Sequence, residues 1–187
     1  LGDSIIAGIG CADQREALLG LVAAELARRA GATVEWVALG ESGRASGDVT
    51  PALLDAARSE QPDLVIISLG VNDAVAGVDP ARFKQGLQSV IDGLAGTRSA
   101  PGVVFAGVPR VETFPALPWP LSSLLGARAD RLAEAAQSLA GYRGLKVVVM
   151  PREMPRAGFA RDGFHPGPAG CAAWARWVAD GFALALD

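Results

Sequence analysis

The chain contains little of several residue types, and each shortage excludes a class of protein. It has two cysteines, Cys11 and Cys171, near opposite ends of its 187 residues, so the sequence indicates neither a disulfide-rich scaffold nor a cysteine-based metal site. The two thiols could form a pair, but the pattern favours two separate buried thiols. No apolar run approaches the roughly 18–20 residues of a membrane-spanning helix. Lys and Arg form no cluster that would indicate a nucleic-acid or anionic-membrane partner.

The remaining composition is that of one globular domain. Half of the residues are hydrophobic, a fifth are charged and the formal net charge is −3, which argues against disorder. The length fits a single domain over residues 1–187 with enough chain for a core. Only Leu1 precedes a Gly-Asp-Ser turn that should follow a buried strand, so we expect most of the first strand, and any signal peptide, to lie outside this sequence. The sequence predicts neither a compartment nor an oligomeric state.

The chain has a single histidine, His165, which lies three residues after Asp162 in the run Asp-Gly-Phe-His-Pro. Any acid–base chemistry by an imidazole near neutral pH must therefore use this residue. A lone histidine is more often structural, but the chain also opens with Leu-Gly-Asp-Ser, which places the hydroxyl of Ser4 just after a glycine turn. Candidates for a nucleophile, a base and a carboxylate partner are all present.

Strands and helices are predicted to alternate along the chain. Apolar β-branched runs predict strands, and amphipathic segments with capping residues predict helices. The predicted strands are a first strand ending near Leu1, then 33–39, 64–69, 103–106 and 146–149. Five helices are predicted: from a capping box at Asp13–Glu16 to Ala30, from Pro51 over a short stretch, from Asp79-Pro80 past Leu94, from Leu121 to Leu139, and from Pro168 to Leu184. Strands this continuously apolar are covered on both faces, which predicts a doubly wound α/β sandwich.

Two of these strands end in blocks of glycine and polar residues. The run at 64–69 leads into Gly-Val-Asn-Asp at 70–73, and the run at 33–39 leads into Gly-Glu-Ser-Gly at 40–43. Together with residues 2–4 and 162–166 they form four blocks in the order and spacing of the GDSL, or SGNH, hydrolases, and the chain resembles that family from end to end. The resemblance implies a flavodoxin-like three-layer α/β/α sandwich around a parallel five-stranded sheet.

The predicted topology brings the four blocks to one place. In open parallel sheets, ligands bind outside the carboxyl ends of the strands at the topological switch point. Ser4 follows the first predicted strand, Gly43 the second and Asn72 the third, while Asp162 and His165 follow the fifth. We therefore expect all five residues to converge on one rim of the sheet.

The resemblance and the chemistry assign catalytic roles to Ser4, Asp162 and His165. A serine hydroxyl attacks well only when a base within about 2.6–3.2 Å takes its proton, and His165 is the sole imidazole in the chain. The other ring nitrogen needs an acceptor, and Asp162 can reach it if Gly163 lets the loop turn back. Asp162 could instead be only a turn or capping residue.

The resemblance also implies an oxyanion hole. The family's donors correspond here to the amide of Ser4 at the start of a helix, the amide of Gly43 and the side-chain amide of Asn72. Gly43 matches the family's second block better than Gly40 or Gly47, although any of the three glycines could simply serve turn geometry.

The loop after the fourth predicted strand is rich in prolines and large apolar residues. Phe114, Leu117 and Trp119 could line an acyl or aryl pocket, with Met150 and Met154 on the same wall, or could pack down on the sheet. The resemblance implies a small-molecule ester substrate and an esterase, thioesterase, arylesterase, lysophospholipase or carbohydrate-esterase activity. Acyl transfer to an alcohol and a non-catalytic flavodoxin-like binding module are the alternatives.

Motifs for other chemistries are incomplete. Residues 40–44 lack the final glycine of a Gly-x-Ser-x-Gly nucleophile elbow, and residues 8–13 lack the third glycine of a dinucleotide fingerprint. With one histidine and no ligand-spaced cysteines, a zinc hydrolase is not expected, and the sequence predicts a reaction without metal or cofactor. Asp3 and Asp73 are interpreted as structural residues whose carboxylates hold loop amides.

Overall fold

A computed structural model describes residues 1–95, 101–150 and 154–183 of the chain. Three strands and six α-helices alternate in these ranges, as the sequence predicts for an α/β protein. In chain order they are α1 (Leu18–Ala30), α2 (Pro51–Ser59), β1 (Leu64–Ile67), α3 (Val71–Ala76), α4 (Pro80–Leu94), β2 (Gly102–Phe105), α5 (Leu121–Gln137), β3 (Lys146–Val147) and α6 (Pro168–Ala183). In the part of the chain described, no helix is both long and apolar enough to cross a membrane.

The sheet is parallel, with the order β1-β2-β3. The start of the chain continues the parallel pairing beyond β1, because Gly2 forms parallel bridges with Ser68 on one side and with Gly40 on the other. The Gly2 amide donates to the Leu39 carbonyl at 3.0 Å, and the Asp3 amide donates to the Ser68 carbonyl at 3.1 Å. Ser4 therefore stands just beyond the carboxyl edge of the sheet, next to the end of β1.

The predicted strand at 33–39 is not confirmed: within the described ranges these residues form no strand, and their segment makes only the bridge at Gly40. A parallel ladder needs consecutive partner residues, and the backbone of residues 33–40 shares hydrogen bonds only with Gly2 in the part of the chain described. Three of the five predicted strands are observed, and β3 is two residues shorter than the predicted strand at 146–149.

The core lies on both faces of the sheet. Along β1, the side chains of Val65 and Ile67 enter one apolar cluster, which also contains buried residues of α4 and α5. Ile66, between them, enters a second cluster, which contains buried residues of α1 and α6. This alternation is the period of two that a strand covered on both faces requires.

Helix α4 forms as the sequence predicts because its signals are local. The Asp79 carboxylate accepts a hydrogen bond from the Ala81 amide at 2.9 Å, and Pro80 occupies the first turn. Five apolar side chains on one face of α4 are all buried: Phe83, Leu87, Val90, Ile91 and Leu94. In α6, Trp174 and Val178 are buried and Trp177 is half-buried, while the predicted last residue Leu184 lies outside the described ranges.

The start of α1 differs from the prediction. The capping box expected at Asp13–Glu16 is not formed; α1 begins at Leu18 after Ala17, which makes no side-chain cap. The Asp13 carboxylate instead accepts hydrogen bonds from the backbone amide and the guanidinium of Arg15, so residues 13–17 form turns. The helix ends as predicted at a left-handed Gly31.

Candidate active site

Ser4 lies in a series of tight turns over residues 3–10, not at the start of an α-helix as predicted. The Asp3 carbonyl accepts from the Ala7 amide at 3.0 Å, and the Ser4 carbonyl accepts from the Ile9 amide at 2.9 Å. The approach to the turn leaves no room for a side chain at Gly2, where a Cβ would stand 2.1 Å from the Ser68 carbonyl oxygen. The turn is thus fixed by close backbone contact with the end of β1.

The carboxylate of Asp3 is buried beside Ser4. It accepts a hydrogen bond from the Ile5 amide at 3.0 Å, which stabilises the turn. Burial raises the pKa of Asp3 to about 6, because removal from water disfavours the charged form more than the bond from Ile5 favours it. This contact supports the structural interpretation of Asp3.

The structure brings together the three residues predicted to be catalytic. The Oγ of Ser4 lies 3.1 Å from the Nε2 of His165, and the Nδ1 of His165 lies 2.6 Å from the Oδ2 of Asp162. The loop from Asp162 to His165 turns back on itself because Gly163 adopts a left-handed conformation with φ of 64°. A hydroxyl, an imidazole and a carboxylate are therefore connected in series by contacts of hydrogen-bond length.

The second oxygen of Asp162 fixes the loop itself. Oδ1 accepts hydrogen bonds from the backbone amides of Phe164 at 2.9 Å and His165 at 3.0 Å. Partial burial acts to raise the pKa of Asp162, but the bonds from the His165 ring and the two amides outweigh it, so the pKa lies below its ordinary value. Asp162 is thus ionised at neutral pH while it holds both the backbone and the ring of His165.

The residues predicted as further oxyanion donors lie in two different environments. Asn72 is in the first turn of α3, a short helix that the sequence did not predict, and its Nδ2 donates to the Arg44 carbonyl at 3.0 Å. Gly43 is exposed, has φ of 85°, and has open space where a Cβ would stand. Among the described residues, the backbone amides of Ser4 and Gly43 donate no hydrogen bond. Both amides are therefore free to bind an added acceptor.

The contacts that fasten the loop after Gly43 agree with the interpretation of Asp73 as a residue that holds loop amides, but the sequence did not identify its partner Ser46 or the contact of Arg44. The fully buried carboxylate of Asp73 accepts hydrogen bonds from the hydroxyl of Ser46 at 2.6 Å and from its backbone amide at 3.1 Å. Arg44 donates from its guanidinium to the Gly2 carbonyl at 3.2 Å. Burial raises the pKa of Asp73, and the bonds from Ser46 oppose that rise. The position of Asp73 within the Gly-Val-Asn-Asp block at 70–73 was the only signal, and it did not indicate which loop residue the carboxylate contacts.

A small apolar cavity adjoins Ser4 and His165. Its volume is about 20 Å³, room for roughly one water molecule. Three phenyl rings on its wall pack edge to face: the Phe114 ring lies 5.3 Å from that of Phe159 and 5.2 Å from that of Phe164. The rings narrow the space next to the Ser4 hydroxyl.

The predicted pocket residues are only partly on this wall. Phe114 and Met154 line the cavity, and Met150 lines a neighbouring one that shares Phe114 and Met154. Leu117 is half-buried against the core cluster that contains Phe114. Trp119 is 81 % exposed and is not among the lining residues of either cavity, because the loop before α5 directs it to solvent.

The chain is similar to known proteins in sequence and in structure. The sequence profile of the GDSL-like Lipase/Acylhydrolase family matches residues 1–173. The chain belongs to this family. A curated relative, a GDSL-like esterase of Mycobacterium tuberculosis, is 30 % identical in an alignment 177 residues long that covers 88 % of this chain and 54 % of the relative. The chain thus spans about half the length of that relative.

Solved structures with the same fold cover nearly all of this GDSL-like chain. A lipase from a goat rumen metagenome superposes with a TM-score of 0.75 at 13 % identity, over 96 % of this chain and 94 % of the other. A lipase/acylhydrolase from Enterococcus faecalis gives 0.72 at 23 % identity, over 97 % and 92 %. A carbohydrate acetylesterase from Sinorhizobium meliloti gives 0.72 at 20 % identity, over 99 % and 97 %. At these identities the matches show the fold alone.

Within the described ranges, no three or more His, Cys, Asp or Glu side chains are grouped so that they could hold a metal ion. At the candidate site, this GDSL-like protein presents a hydroxyl, an imidazole, a carboxylate and two backbone amides without an acceptor among the described residues. An imidazole oriented by a carboxylate can take a proton from a hydroxyl and return it to a leaving group.

Proposed function

We propose that the protein hydrolyses carboxylic esters through an acyl-enzyme on Ser4. The observation that carries the proposal is the series of contacts from Ser4 Oγ to His165 Nε2 at 3.1 Å and from His165 Nδ1 to Asp162 Oδ2 at 2.6 Å. Membership of the GDSL-like Lipase/Acylhydrolase family supports the same reaction class. The reaction needs no cofactor and no metal.

In the proposed first step, His165 takes the Ser4 proton while the hydroxyl oxygen attacks the ester carbonyl. The C–O bond to the alcohol then breaks, and His165 gives the proton to the departing alkoxide. A water molecule enters, loses a proton to the same imidazole and attacks the acyl-enzyme, which releases the acid and restores Ser4. Asp162 keeps its charge throughout and stabilises the imidazolium that forms twice in each cycle.

The oxyanion of each tetrahedral intermediate is proposed to bind the amides of Ser4 and Gly43 and the Nδ2 of Asn72. Support comes from the two backbone amides, which have no acceptor among the described residues. The Nδ2 of Asn72 carries two hydrogens and gives one to the Arg44 carbonyl, so the other remains for the substrate. The bond to Arg44 also fixes the amide plane, which favours a preorganised donor.

We further propose that the architecture is the five-stranded, three-layer sandwich of this family. The segment 33–40 and residues 1–2 would take the places of two further strands, an assignment supported by the parallel bridges of Gly2 to both Gly40 and Ser68. The two apolar clusters on opposite faces of β1 support helices on both sides of the sheet.

The substrate is proposed to be an ester with a short acyl group. The apolar cavity beside Ser4 and His165 has a volume of about 20 Å³, and the rings of Phe114, Phe159 and Phe164 form part of its wall. The names of the similar proteins range from lipase to carbohydrate acetylesterase, so they do not indicate the length of the acyl group. The cavity favours acetyl-sized groups.

A series of p-nitrophenyl esters tests this function. We expect measurable turnover of the acetate, with kcat/KM at least about tenfold lower for the octanoate. Additional methylenes that do not fit into the cavity stay in water and contribute no transfer free energy to binding. An acetylated sugar and a lysophospholipid in the same series distinguish the alcohol part. No turnover of any ester by folded protein would overturn the proposal, and a preference for the octanoate would overturn the short-acyl assignment.

Replacing Asn72 with alanine tests the oxyanion hole. Loss of a donor used mainly in the transition state is expected to lower kcat by about 10²–10³-fold with little change in KM. Loss of the bond to Arg44 alone would instead cost on the order of 1 kcal/mol of unfolding free energy. Steady-state kinetics and thermal melting separate the two effects. A variant with near wild-type kcat and a lower Tm would make Asn72 a structural residue.

A further inference from the structure

The two cysteines, distant in sequence, meet beside the His165 loop. Both are free thiols, and their sulfur atoms are 3.8 Å apart. Cys171 is buried in the first turns of α6, as predicted, whereas Cys11 is half-buried at the end of the turns that begin at Ser4. At this distance the sulfurs are in van der Waals contact, and an approach of about 1.8 Å would give the 2.05 Å of a disulfide bond.

The surroundings of the thiols connect them to the candidate active site. Both sulfurs lie within 4.0 Å of the carbonyl oxygen of Pro166, the residue after His165. The residue before Cys11 also contacts this loop: a Cβ on Gly10 would stand 2.5 Å from the same oxygen and 3.0 Å from the Cβ of His165. The thiols therefore occupy the junction between the segment that carries Ser4 and the segment that carries His165.

We propose that Cys11 and Cys171 are a redox-active pair whose disulfide joins the Ser4 turns to the amino-terminal end of α6. The contact of the two sulfurs supports the bond, and the half-exposed Cys11 gives an external reagent access to one of them. A disulfide here would close a loop of about 160 residues, which is nearly the whole chain. In the chain-entropy model of disulfide stabilisation, a cross-link that closes a longer loop removes more conformational entropy from the unfolded chain. We therefore expect the disulfide form of the domain to be more stable than the reduced form.

The oxidation is a thiol–disulfide exchange with a small disulfide reagent such as oxidised glutathione. The Cys11 thiolate attacks one glutathione sulfur, which forms a mixed disulfide and releases the first glutathione thiolate. The Cys171 sulfur, after loss of its proton, then attacks the Cys11 sulfur and releases the second glutathione. The protein loses two hydrogens, and one glutathione disulfide becomes two glutathione thiols.

The rate should depend on pH. Burial raises the pKa of Cys11 above its ordinary value and raises that of Cys171 further, and the thiolate is the attacking species. Exchange is therefore expected to be slow at neutral pH and to accelerate as the pH rises.

Intact mass and melting temperature of the 187-residue chain test the pair. After incubation with oxidised glutathione at pH 8.5, we expect a species about 2 Da lighter than the reduced protein, with the Cys11 and Cys171 peptides linked. Its Tm should exceed that of the reduced form by about 5–15 °C, and dithiothreitol should reverse both changes. The comparison uses one sequence in two redox states, so a folding defect of a variant cannot produce the result.

Cys11→Ala and Cys171→Ala are the matched controls, and in both the oxidant should leave the Tm unchanged. A glutathione adduct on Cys11 that never resolves to the intramolecular bond would overturn the proposal, and so would a disulfide that leaves the Tm unchanged. Mass and melting do not depend on ester hydrolysis, so a failure here is distinguishable from a failure of the proposed function.

Discussion

Replacing Ser4 with alanine is expected to lower kcat on p-nitrophenyl acetate by about 10⁴–10⁶-fold, the loss typical when the nucleophile of a triad is removed. The reason is geometric: His165 Nε2 has Ser4 Oγ as its partner at 3.1 Å, and alanine leaves no oxygen there to attack the carbonyl. The turn itself should persist, since it is held by backbone bonds and by the Asp3 carboxylate. Circular dichroism and thermal melting should therefore match the wild type.

Ser42→Ala is the matched control for this substitution. Ser42 lies on the exposed loop next to Gly43, and its change should leave kcat within about twofold of the wild type, as expected for a surface position. A fluorophosphonate provides a second readout, because it forms a covalent adduct only with an activated hydroxyl. Mass spectrometry should locate the adduct on Ser4 in the wild type and in Ser42→Ala. An adduct on another serine, or an active Ser4→Ala variant, would overturn the assignment of the nucleophile.

The fold could be predicted where its causes are local. Helix α4 follows from an aspartate cap, a first-turn proline and an apolar stripe, all within one stretch of sequence. The segment 33–39 also has an apolar pattern, yet it forms no continuous ladder in the described structure, because a strand depends on neighbouring segments that the pattern does not contain. Strand β3 is likewise shorter than its apolar pattern predicts. The Val148 amide still donates to the Phe105 carbonyl at 2.9 Å, but Val149, which the pattern placed in a buried strand, is 74 % exposed.

The candidate site shows a similar division. The contact between Ser4 and His165 joins residues 161 positions apart, and it could be predicted because both follow strands whose carboxyl ends share one edge. The contact of Ser46 with Asp73 could not be predicted, since a hydroxyl and a carboxylate 27 residues apart have no characteristic spacing. Trp119 shows a further limit, because an apolar residue in a proline-rich loop can face solvent as readily as a pocket.

Asp162→Asn is expected to lower kcat by about 10²–10⁴-fold through the tautomer of His165. In the wild type, the backbone amides of Phe164 and His165 donate to Oδ1 of Asp162, and the imidazole contacts Oδ2. The oxygen of asparagine is needed to accept from the two amides, so its NH₂ group takes the place of Oδ2 and faces the imidazole. That group donates to Nδ1, which puts the ring proton on Nε2, the atom that faces Ser4. In this state the imidazole cannot accept the serine proton, and the imidazolium has lost its counter-charge.

The stability of the Asp162→Asn variant should change little. Because the folded-state pKa of Asp162 is lowered, its ionisation contributes stability above the unfolded pKa, and this contribution disappears only as the pH falls through the lower folded value. At neutral pH the variant lacks this contribution to the free energy of unfolding. Because the Asp162 side chain is 46 % exposed, solvent screening keeps the lost free energy below about 1 kcal/mol, which corresponds to a few degrees in Tm. Asp55→Asn, which removes an exposed carboxylate paired with Arg58 on α2, is the matched control and should retain full activity. Unchanged kcat in Asp162→Asn would place the orienting role elsewhere, whereas a large drop in kcat with a nearly unchanged Tm is what a carboxylate acting through His165 requires.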